Sequence, residues 1–286
     1  MRSWSFGLLL GMFFSFEVGA QSYRGDSWEQ VNLTKQGTIT LAYVETPSFV
    51  YHPNSGRLSG ICVDIMNDFI AYVGKTKDLK LEVKWAGEGA DFMGMYNKVR
   101  NSSGGVFGMG NITITEGRKK EVKFSPPFIS NFAILVTHST VPMITRLEDL
   151  SRHFTKLNAY TVQGALSDFR MQEIKQKYFR GMKIIYTAST LETLDRVASD
   201  PNSFAYVDLA FYLHAVKDGM AIKRHPASDK LAEQFGLAMP LDSDWAPVIE
   251  EFFKANGGYT NTARYTQILR RHLGETGIKL MQTSLE

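Results

Sequence analysis

Short β-branched segments alternate with helical patterns along most of this chain, and this alternation limits the folds that it can form. Residues 38–44 alternate apolar and polar side chains, which is typical of a strand. Apolar residues then recur at helical spacing over 61–73, and residues 79–85 alternate again. A helix over about 91–101 and a short strand over 106–109 are predicted next. Alternating elements of this kind favour α/β sheets covered by helices.

The same alternation resumes in the second half of the chain. Strands are predicted to end at Val162 and to cover 183–186 and 204–207, with helical apolar stripes between them. The C-terminal segment, over 248–273, has a helical pattern. A length of 286 residues allows one large domain or two smaller ones. Because ligands of such sheets bind beyond the carboxyl ends of the strands, we expect the functional residues there.

The first residues of the chain have the pattern of a secretory signal peptide. Arg2 precedes an apolar block over 6–16, and small residues lead to Ala20. The block is shorter than the roughly 20 residues that a membrane-spanning helix needs. We therefore predict a signal peptide over 1–20, cleavage after Ala20, and a periplasmic mature protein without membrane insertion. A buried N-terminal helix is the alternative interpretation.

Composition excludes several classes of function. The formal net charge is only +3, without a long basic run, so nucleic acid is not an expected partner. Cys62 is the single cysteine, which excludes an intrachain disulfide and a cysteine-based metal site. The six histidines show no metal-ligand spacing. We therefore expect no metal and no cofactor.

The most informative segment lies between Gly110 and Phe128. A polar strand end carrying Asn111 and Thr113 runs into a predicted helical turn that Thr115 opens. Backbone N–H groups at such a turn attract an anion. Arg118, one turn later, supplies a planar two-pronged donor that suits a carboxylate. Taken alone, the segment fits either a carboxylate clamp or a capped turn with a surface arginine.

This segment resembles the extracellular solute-binding proteins of family 3, which deliver amino acids to ABC importers. The family pattern appears here as a glycine, a Thr-Ile-Thr run, an arginine and a Phe-Ser-Pro-Pro-Phe segment: Gly110, Thr113, Ile114, Thr115, Arg118 and 124–128. Segments 47–64, 163–166 and 206–208 are also similar to the family. Ser48 and the pair Ser203-Phe204 depart from its usual residues.

The resemblance implies a type II periplasmic-binding-protein fold. Such a fold has two α/β lobes, each a mostly parallel sheet covered by helices, joined by two hinge crossings. Carried over to this chain, the first lobe would comprise 38–135 and 236–286. The second lobe would comprise 136–235. The ligand would lie between the lobes, which close around it.

The resemblance also implies roles for individual residues. Arg118 and the Thr113 backbone would hold the α-carboxylate of the ligand. The N–H groups around Ala165 and Leu166, at the start of a helix, would add contacts from the second lobe. Asp208 would accept the α-ammonium group.

Three further residues are weaker candidates for ligand contact. Asn111 lies at the polar strand end beside the clamp. Phe92 precedes a first-lobe helix where the family often places an aromatic wall, although it also fits an ordinary core residue. Glu45 follows the first strand and could contact a cationic or hydroxylated side chain, or remain a solvated loop carboxylate.

The predicted function is therefore capture of a small polar ligand, an L-amino acid by preference, by a monomeric periplasmic protein that hands it to a membrane permease. The alternative from another class is a periplasmic enzyme on the same scaffold, similar to the dehydratases of arogenate or prephenate. Such an enzyme needs an acid or base with a shifted pKa in the cleft. Glu45 is the one obvious candidate for that role.

Overall fold

The computed structural model of the protein describes residues 22–53 and 56–283, so the predicted signal peptide over 1–20 lies outside the described residues. The α-helices are α1 (Trp28–Thr34), α2 (Ile61–Lys77), α3 (Phe92–Arg100), α4 (Leu150–His153), α5 (Leu166–Lys177), α6 (Thr190–Ser199), α7 (Leu209–Lys217), α8 (Ala246–Lys254) and α9 (Ala263–Thr283). The strands are β1 (Gln36–Tyr43), β2 (Lys80–Gly87), β3 (Val106–Met109), β4 (Val122–Phe124), β5 (Ile129–His138), β6 (Asn158–Val162), β7 (Lys183–Thr187), β8 (Ser203–Asp208), β9 (Ile222–Arg224), β10 (Lys230–Phe235) and β11 (Ala238–Pro240).

The predicted strands and helices form two lobes, each built on its own sheet. The first sheet has the order β2-β1-β3-β11-β4, and the second has the order β10-β5-β8-β6-β7 with β9 beside β5. Strand β1 runs parallel to β2 and β3, and β6 runs parallel to β7 and β8. This arrangement confirms the predicted two-lobed α/β fold.

Both sheets also contain antiparallel strands. In the first sheet β11 is antiparallel to β3 and β4, and in the second β5 is antiparallel to β8, β9 and β10. The cause is the path of the chain, which leaves one lobe and later returns to it in the opposite direction. Each sheet is therefore mixed, with three parallel strands joined by the strands on the crossing path.

The chain passes between the lobes twice, and the two passages lie side by side. The first leads from β4 to β5 and the second from β10 to β11. Ser125 N–H donates to the carbonyl of Leu237 at 2.9 Å, and Phe128 N–H donates to the carbonyl of Phe235 at 3.0 Å. The predicted lobe boundary between residues 135 and 136 falls within β5.

Helices cover the sheets with apolar side chains. In the first lobe, the fully buried Trp245 contacts the rings of Phe69 and Phe107 edge to face, with centroids 6.2 and 5.9 Å apart. In the second lobe, Phe154 and Phe204 pack on one face of the sheet, 5.1 Å apart. Burial of each such phenylalanine contributes about 1.5–3 kcal/mol of stability. Each lobe thus has its own core.

The last helix contacts both lobes. Helix α9 packs against α2 in the first lobe and against α7 in the second. It changes direction at Gly274, whose φ of +69° favours glycine. Across residues 22–53 and 56–283, no helix is both long enough and apolar enough to pass through a lipid bilayer.

Candidate functional site

A cavity of about 530 Å³ lies between the lobes, at the carboxyl ends of parallel strands from both sheets. This volume suits a small molecule. All eight residues proposed from the sequence line the cavity: Glu45, Phe92, Asn111, Thr113, Arg118, Ala165, Leu166 and Asp208. The structure therefore brings together residues that are up to 163 positions apart in the chain (208 − 45).

Local contacts hold the Arg118 side chain in place. The Thr115 hydroxyl accepts a hydrogen bond from the Arg118 backbone N–H at 3.2 Å, which fixes the turn. Nη1 of Arg118 donates to the Thr113 carbonyl at 3.1 Å. The guanidinium plane also lies 5.0 Å from the ring centroid of Phe92 and 5.4 Å from that of Tyr96. Cation–π contacts of this kind stabilise a partly desolvated guanidinium.

The charge of Arg118 has no direct counter-ion within the described residues, where no carboxylate lies at ion-pair distance from it. Burial lowers the pKa of Arg118, and the negative Asp208 is among the groups that oppose this shift. Arginine nevertheless stays protonated in proteins and carries five N–H donors. Since Arg118 lines the cavity, its remaining donors are available to an anion there.

Asp208 ends β8 and reaches the cavity from the second lobe. Its Oδ2 accepts a hydrogen bond from Asn111 Nδ2 at 2.5 Å, and its Oδ1 accepts one from Asn131 Nδ2 at 2.9 Å. Burial raises the pKa of Asp208, whereas these hydrogen bonds and the guanidinium of Arg170 lower it. A carboxylate offers about four acceptor positions, so room remains for a further donor.

The turn before α5 presents backbone N–H groups to the cavity wall. Gly164 has a φ of +74°, and its N–H donates to the Asp168 carboxylate at 3.1 Å. The Ala165 N–H is already taken, because it donates to the Val162 carbonyl at 3.2 Å. Within the described residues, the N–H groups without a partner in the first turn of α5 are those of Leu166 and Ser167. Of the two residues predicted to supply an N–H here, only Leu166 has a free one.

Phe92 and Glu45 both lie on the first-lobe wall. Phe92 opens α3 after the capping Asp91, and its ring is stacked on that of Tyr96 with centroids 6.0 Å apart. Its contact with Arg118 makes it part of the clamp as well as of the wall. Glu45 Oε1 lies 3.1 Å from Nδ1 of His52, and about half of the Glu45 side chain is exposed.

Comparison with known proteins agrees with this architecture. Residues 39–209, more than half of the chain, match the family of bacterial extracellular solute-binding proteins, family 3. The chain belongs to this family. No curated protein matches it significantly.

Solved structures show the same fold as this family 3 solute-binding protein. An ancestral arginine-binding protein bound to arginine has a TM-score of 0.65 and 22% identity, covering 83% of this chain and 98% of that one. A binding protein from Streptococcus pneumoniae with bound histidine has a TM-score of 0.69 and 16% identity, covering 87% and 97%. An ancestral amino acid-binding protein, a precursor of cyclohexadienyl dehydratase, has a TM-score of 0.63 and 17% identity, covering 86% and 98%.

Three charged or amide side chains of this solute-binding protein, those of Arg170, Asn131 and Glu233, belong to the polar network of the site without having been predicted from the sequence. Arg170 lines the cavity from α5 and forms an ion pair with Glu233 of β10. The buried Asn131 of β5 contacts both Asp208 and Glu233. Two signals could have indicated them. Arg170 lies four residues after Leu166, on the same helix face, and Asn131 is an amide directly before the apolar run over 132–136 of β5.

Proposed function

We propose that this protein captures a small zwitterion, an L-amino acid, between its two lobes and delivers it to the permease of an ABC importer. One observation carries the proposal. A guanidinium without a counter-ion in the described residues, Arg118, and a hydrogen-bonded carboxylate, Asp208, line the same cavity from opposite lobes. An α-amino acid carries the two charges that complement this pair.

The α-carboxylate fits the Arg118 side. The guanidinium can donate two parallel hydrogen bonds to one carboxylate. The Thr113 N–H, which has no partner in the described part of the chain, lies beside it, and the N–H groups of Leu166 and Ser167 begin a helix on the opposite wall. Charged hydrogen bonds of this kind contribute about 1.5–3 kcal/mol each. These donors come from both lobes, so the carboxylate would favour the closed state.

The α-ammonium group fits the Asp208 side. Two amides already orient this carboxylate, so little reorganisation is needed when a ligand donates to it. Enclosure between the lobes lowers the effective dielectric and strengthens both charge pairs. A ligand shifts the equilibrium between open and closed states only by its differential affinity for them. We infer that closure, stabilised in this way, is what the permease recognises in the periplasm.

The bound amino acids in the neighbouring structures support this ligand class, since arginine and histidine are each named there. The test is a melting screen of the purified protein with each of the twenty proteinogenic L-amino acids. Mass action on a native-state ligand predicts a higher melting temperature with one or a few of them. If neither an amino acid nor any small carboxylate shifts the melt, the proposal is wrong.

Two observations favour the dehydratase alternative: the likeness to a dehydratase precursor, and the cavity-lining Asp208, whose pKa burial raises. Against it, Glu45, the candidate acid or base, is half exposed and contacts His52, so solvent is not excluded from its carboxylate. Incubation with prephenate, followed by absorbance of an aromatic product, tests the alternative. We expect no product above the uncatalysed rate.

A further inference from the structure

We propose that Arg170 is a positioning residue, which neutralises Glu233 and so keeps Asp208 ionised and aligned for an ammonium group. This inference rests on the proposed function, because it concerns the same site. The ion pair between Arg170 and Glu233 joins helix α5, which lines the cavity, to strand β10, which leads back to the first lobe.

The need for such a residue follows from the surroundings of Asn131. Its side-chain amide nitrogen lies 2.9 Å from Oδ1 of Asp208 and 3.4 Å from Oε2 of Glu233. One amide group therefore bridges two carboxylates. Like charges this close disfavour ionisation of both, and the effect grows as water is excluded. Without a compensating cation, one of the two carboxylates would take up a proton more readily.

Arg170 supplies that cation. It forms an ion pair with Glu233, and the two side chains are only 12% and 11% exposed. Its guanidinium is also close enough to Asp208 to favour the charged carboxylate, and it lowers the pKa of Asp208 against the effect of burial. Arg170 thus acts on both carboxylates while it remains on the cavity wall.

The charged groups around Asp208 come from several elements. Arg118 approaches from the first lobe, Arg170 from α5, and Glu233 from β10 through Asn131. Strand β5 contributes the amide of Asn131, and the first lobe contributes that of Asn111. Of the two cations, Arg118 is needed for the ligand carboxylate in the proposed function. The charge of Arg170 is therefore the one that can balance Glu233.

A backbone hydrogen bond fixes the orientation of the Asn131 side-chain amide. Its Oδ1 accepts a hydrogen bond from the Leu209 N–H at 3.2 Å, so its NH₂ group must face the carboxylates. The amide cannot turn its oxygen toward Asp208 to relieve repulsion without losing that bond. The arrangement makes Asn131 a rigid link and leaves charge balance to Arg170.

The experiment follows the Asp208 carboxyl in the full-length protein without any ligand. Side-chain carboxyl carbons are titrated by ¹³C NMR, and the Asp208 signal is identified by its loss in Asp208→Asn. We expect Arg170→Met to move the midpoint of the Asp208 titration curve to higher pH. Arg170→Lys should leave this midpoint near the wild-type value. Arg170→Met combined with Glu233→Gln should return it toward the wild type. If Asp208 titrates at the same pH in Arg170→Met as in the wild type, the proposal is wrong.

Two further arms keep the test decisive. Glu233→Gln alone should move the Asp208 midpoint to lower pH, because the unpaired guanidinium then acts on Asp208, and this arm decides the matter if Arg170→Met does not fold. Arg196→Met, at an exposed arginine of α6 in the same lobe, is the matched control and should change nothing. A shift as large in the control as in Arg170→Met would also contradict the proposal.

The outcome is independent of the amino-acid screen, since the titration uses unliganded protein. If the midpoint moves but no compound of the melting screen binds, the proposed function is wrong while the charge balance stands. If an amino acid of the screen binds and the midpoint does not move, only the role of Arg170 is wrong. When both hold, affinity for the bound amino acid should fall at a higher pH in Arg170→Met than in the wild type.

Discussion

The side-chain amide of Asn111 in the first lobe donates a hydrogen bond of 2.5 Å to the carboxylate of Asp208 in the second lobe. This contact joins the lobes directly at the cavity, and the ligand would add further contacts beside it. The Asn111 amide thus donates to the same carboxylate to which the ligand ammonium group is proposed to donate. Substitution of Asn111 or of Asp208 therefore tests how closure of the lobes depends on this hydrogen bond.

Asn111→Asp should hold the lobes apart. A second carboxylate at this position would repel Asp208 instead of donating to it. We expect a larger radius of gyration by small-angle X-ray scattering and about tenfold or greater loss of amino-acid affinity, the equivalent of one charged hydrogen bond. The matched control is Asn101→Asp, at an exposed asparagine after α3, which should leave both measurements unchanged.

Arg118→Lys should remove most of the ligand affinity, because an ammonium cannot form the two parallel hydrogen bonds of a guanidinium. The expected loss is about tenfold or more by calorimetry. The unliganded protein should unfold within about 1 kcal/mol of the wild type, since no ion pair among the described residues is broken. Lys119→Ala, at the exposed neighbour, should retain full affinity. Equal affinity of Arg118→Lys and wild type would show that the clamp is misassigned.

Asp208→Asn should abolish amino-acid binding and remove a cost to the stability of the unliganded protein that arises only when this carboxylate is charged. Burial raises the pKa of Asp208 in the folded state, so folding favours its protonated form. Above the folded-state pKa the charge therefore costs stability, and below the unfolded-state pKa it costs nothing. The amide that replaces the carboxylate also sets an NH₂ group against the donor of Asn111 or Asn131, which lowers stability at every pH. Urea unfolding should therefore show the stability of the variant relative to wild type rising between about pH 4 and about pH 7, whatever its value at pH 4. A relative stability that stays constant or falls over this range would contradict the assignment.

His225 should make the stability of the protein fall in mild acid. The histidine is buried, accepts from the Ile144 N–H at 3.2 Å, and lies 2.9 Å from the Thr137 hydroxyl. Burial lowers the pKa of His225 from 6.5 to about 4. Because the unfolded chain binds the proton more readily, stability should decrease as pH falls from about 6.5 to about 4, by at most about 3 kcal/mol.

The check is urea unfolding of His225→Gln at about pH 7 and about pH 4.5. The variant should lose less stability than the wild type between these values, whatever its starting stability. His153→Gln, at an exposed histidine, should keep the wild-type dependence. If the stability of His225→Gln depends on pH as that of the wild type does, His225 is not the cause of the loss of stability in acid.

The alternation of strands and helices could be predicted from short-range patterns, whereas the two lobes and most of the cavity-lining residues were predicted from the resemblance to the family. The strand and helix periods identify the sheets, and the segment from Gly110 to Arg118 forms its turn from its own residues. The sequence could not show that the backbone N–H of Leu166 is free for a ligand whereas that of Ala165 is already hydrogen-bonded. That distinction depends on the geometry of one turn, which the residue types alone leave open.

The network around Asp208 could not be predicted because its members are far apart in the chain. Asn131 and Glu233 become neighbours only when β5 pairs with β10, where their backbones lie opposite each other. Arg170 reaches Glu233 only when α5 packs onto the second sheet. The mixed strand order arises because the chain passes between the lobes twice, from β4 to β5 and from β10 to β11. Periodicity within single segments does not reveal these passages.

The most direct test of zwitterion capture is calorimetric titration with three compounds: the amino acid that raises the melting temperature most, its decarboxylated amine, and its N-acetyl derivative. The amine lacks the group for Arg118, and the acetylated compound lacks the charge for Asp208. We expect the amino acid to bind with a free energy of about −8 kcal/mol or better, and each analogue to bind at least about tenfold more weakly. An analogue that binds as tightly as the amino acid would contradict the account.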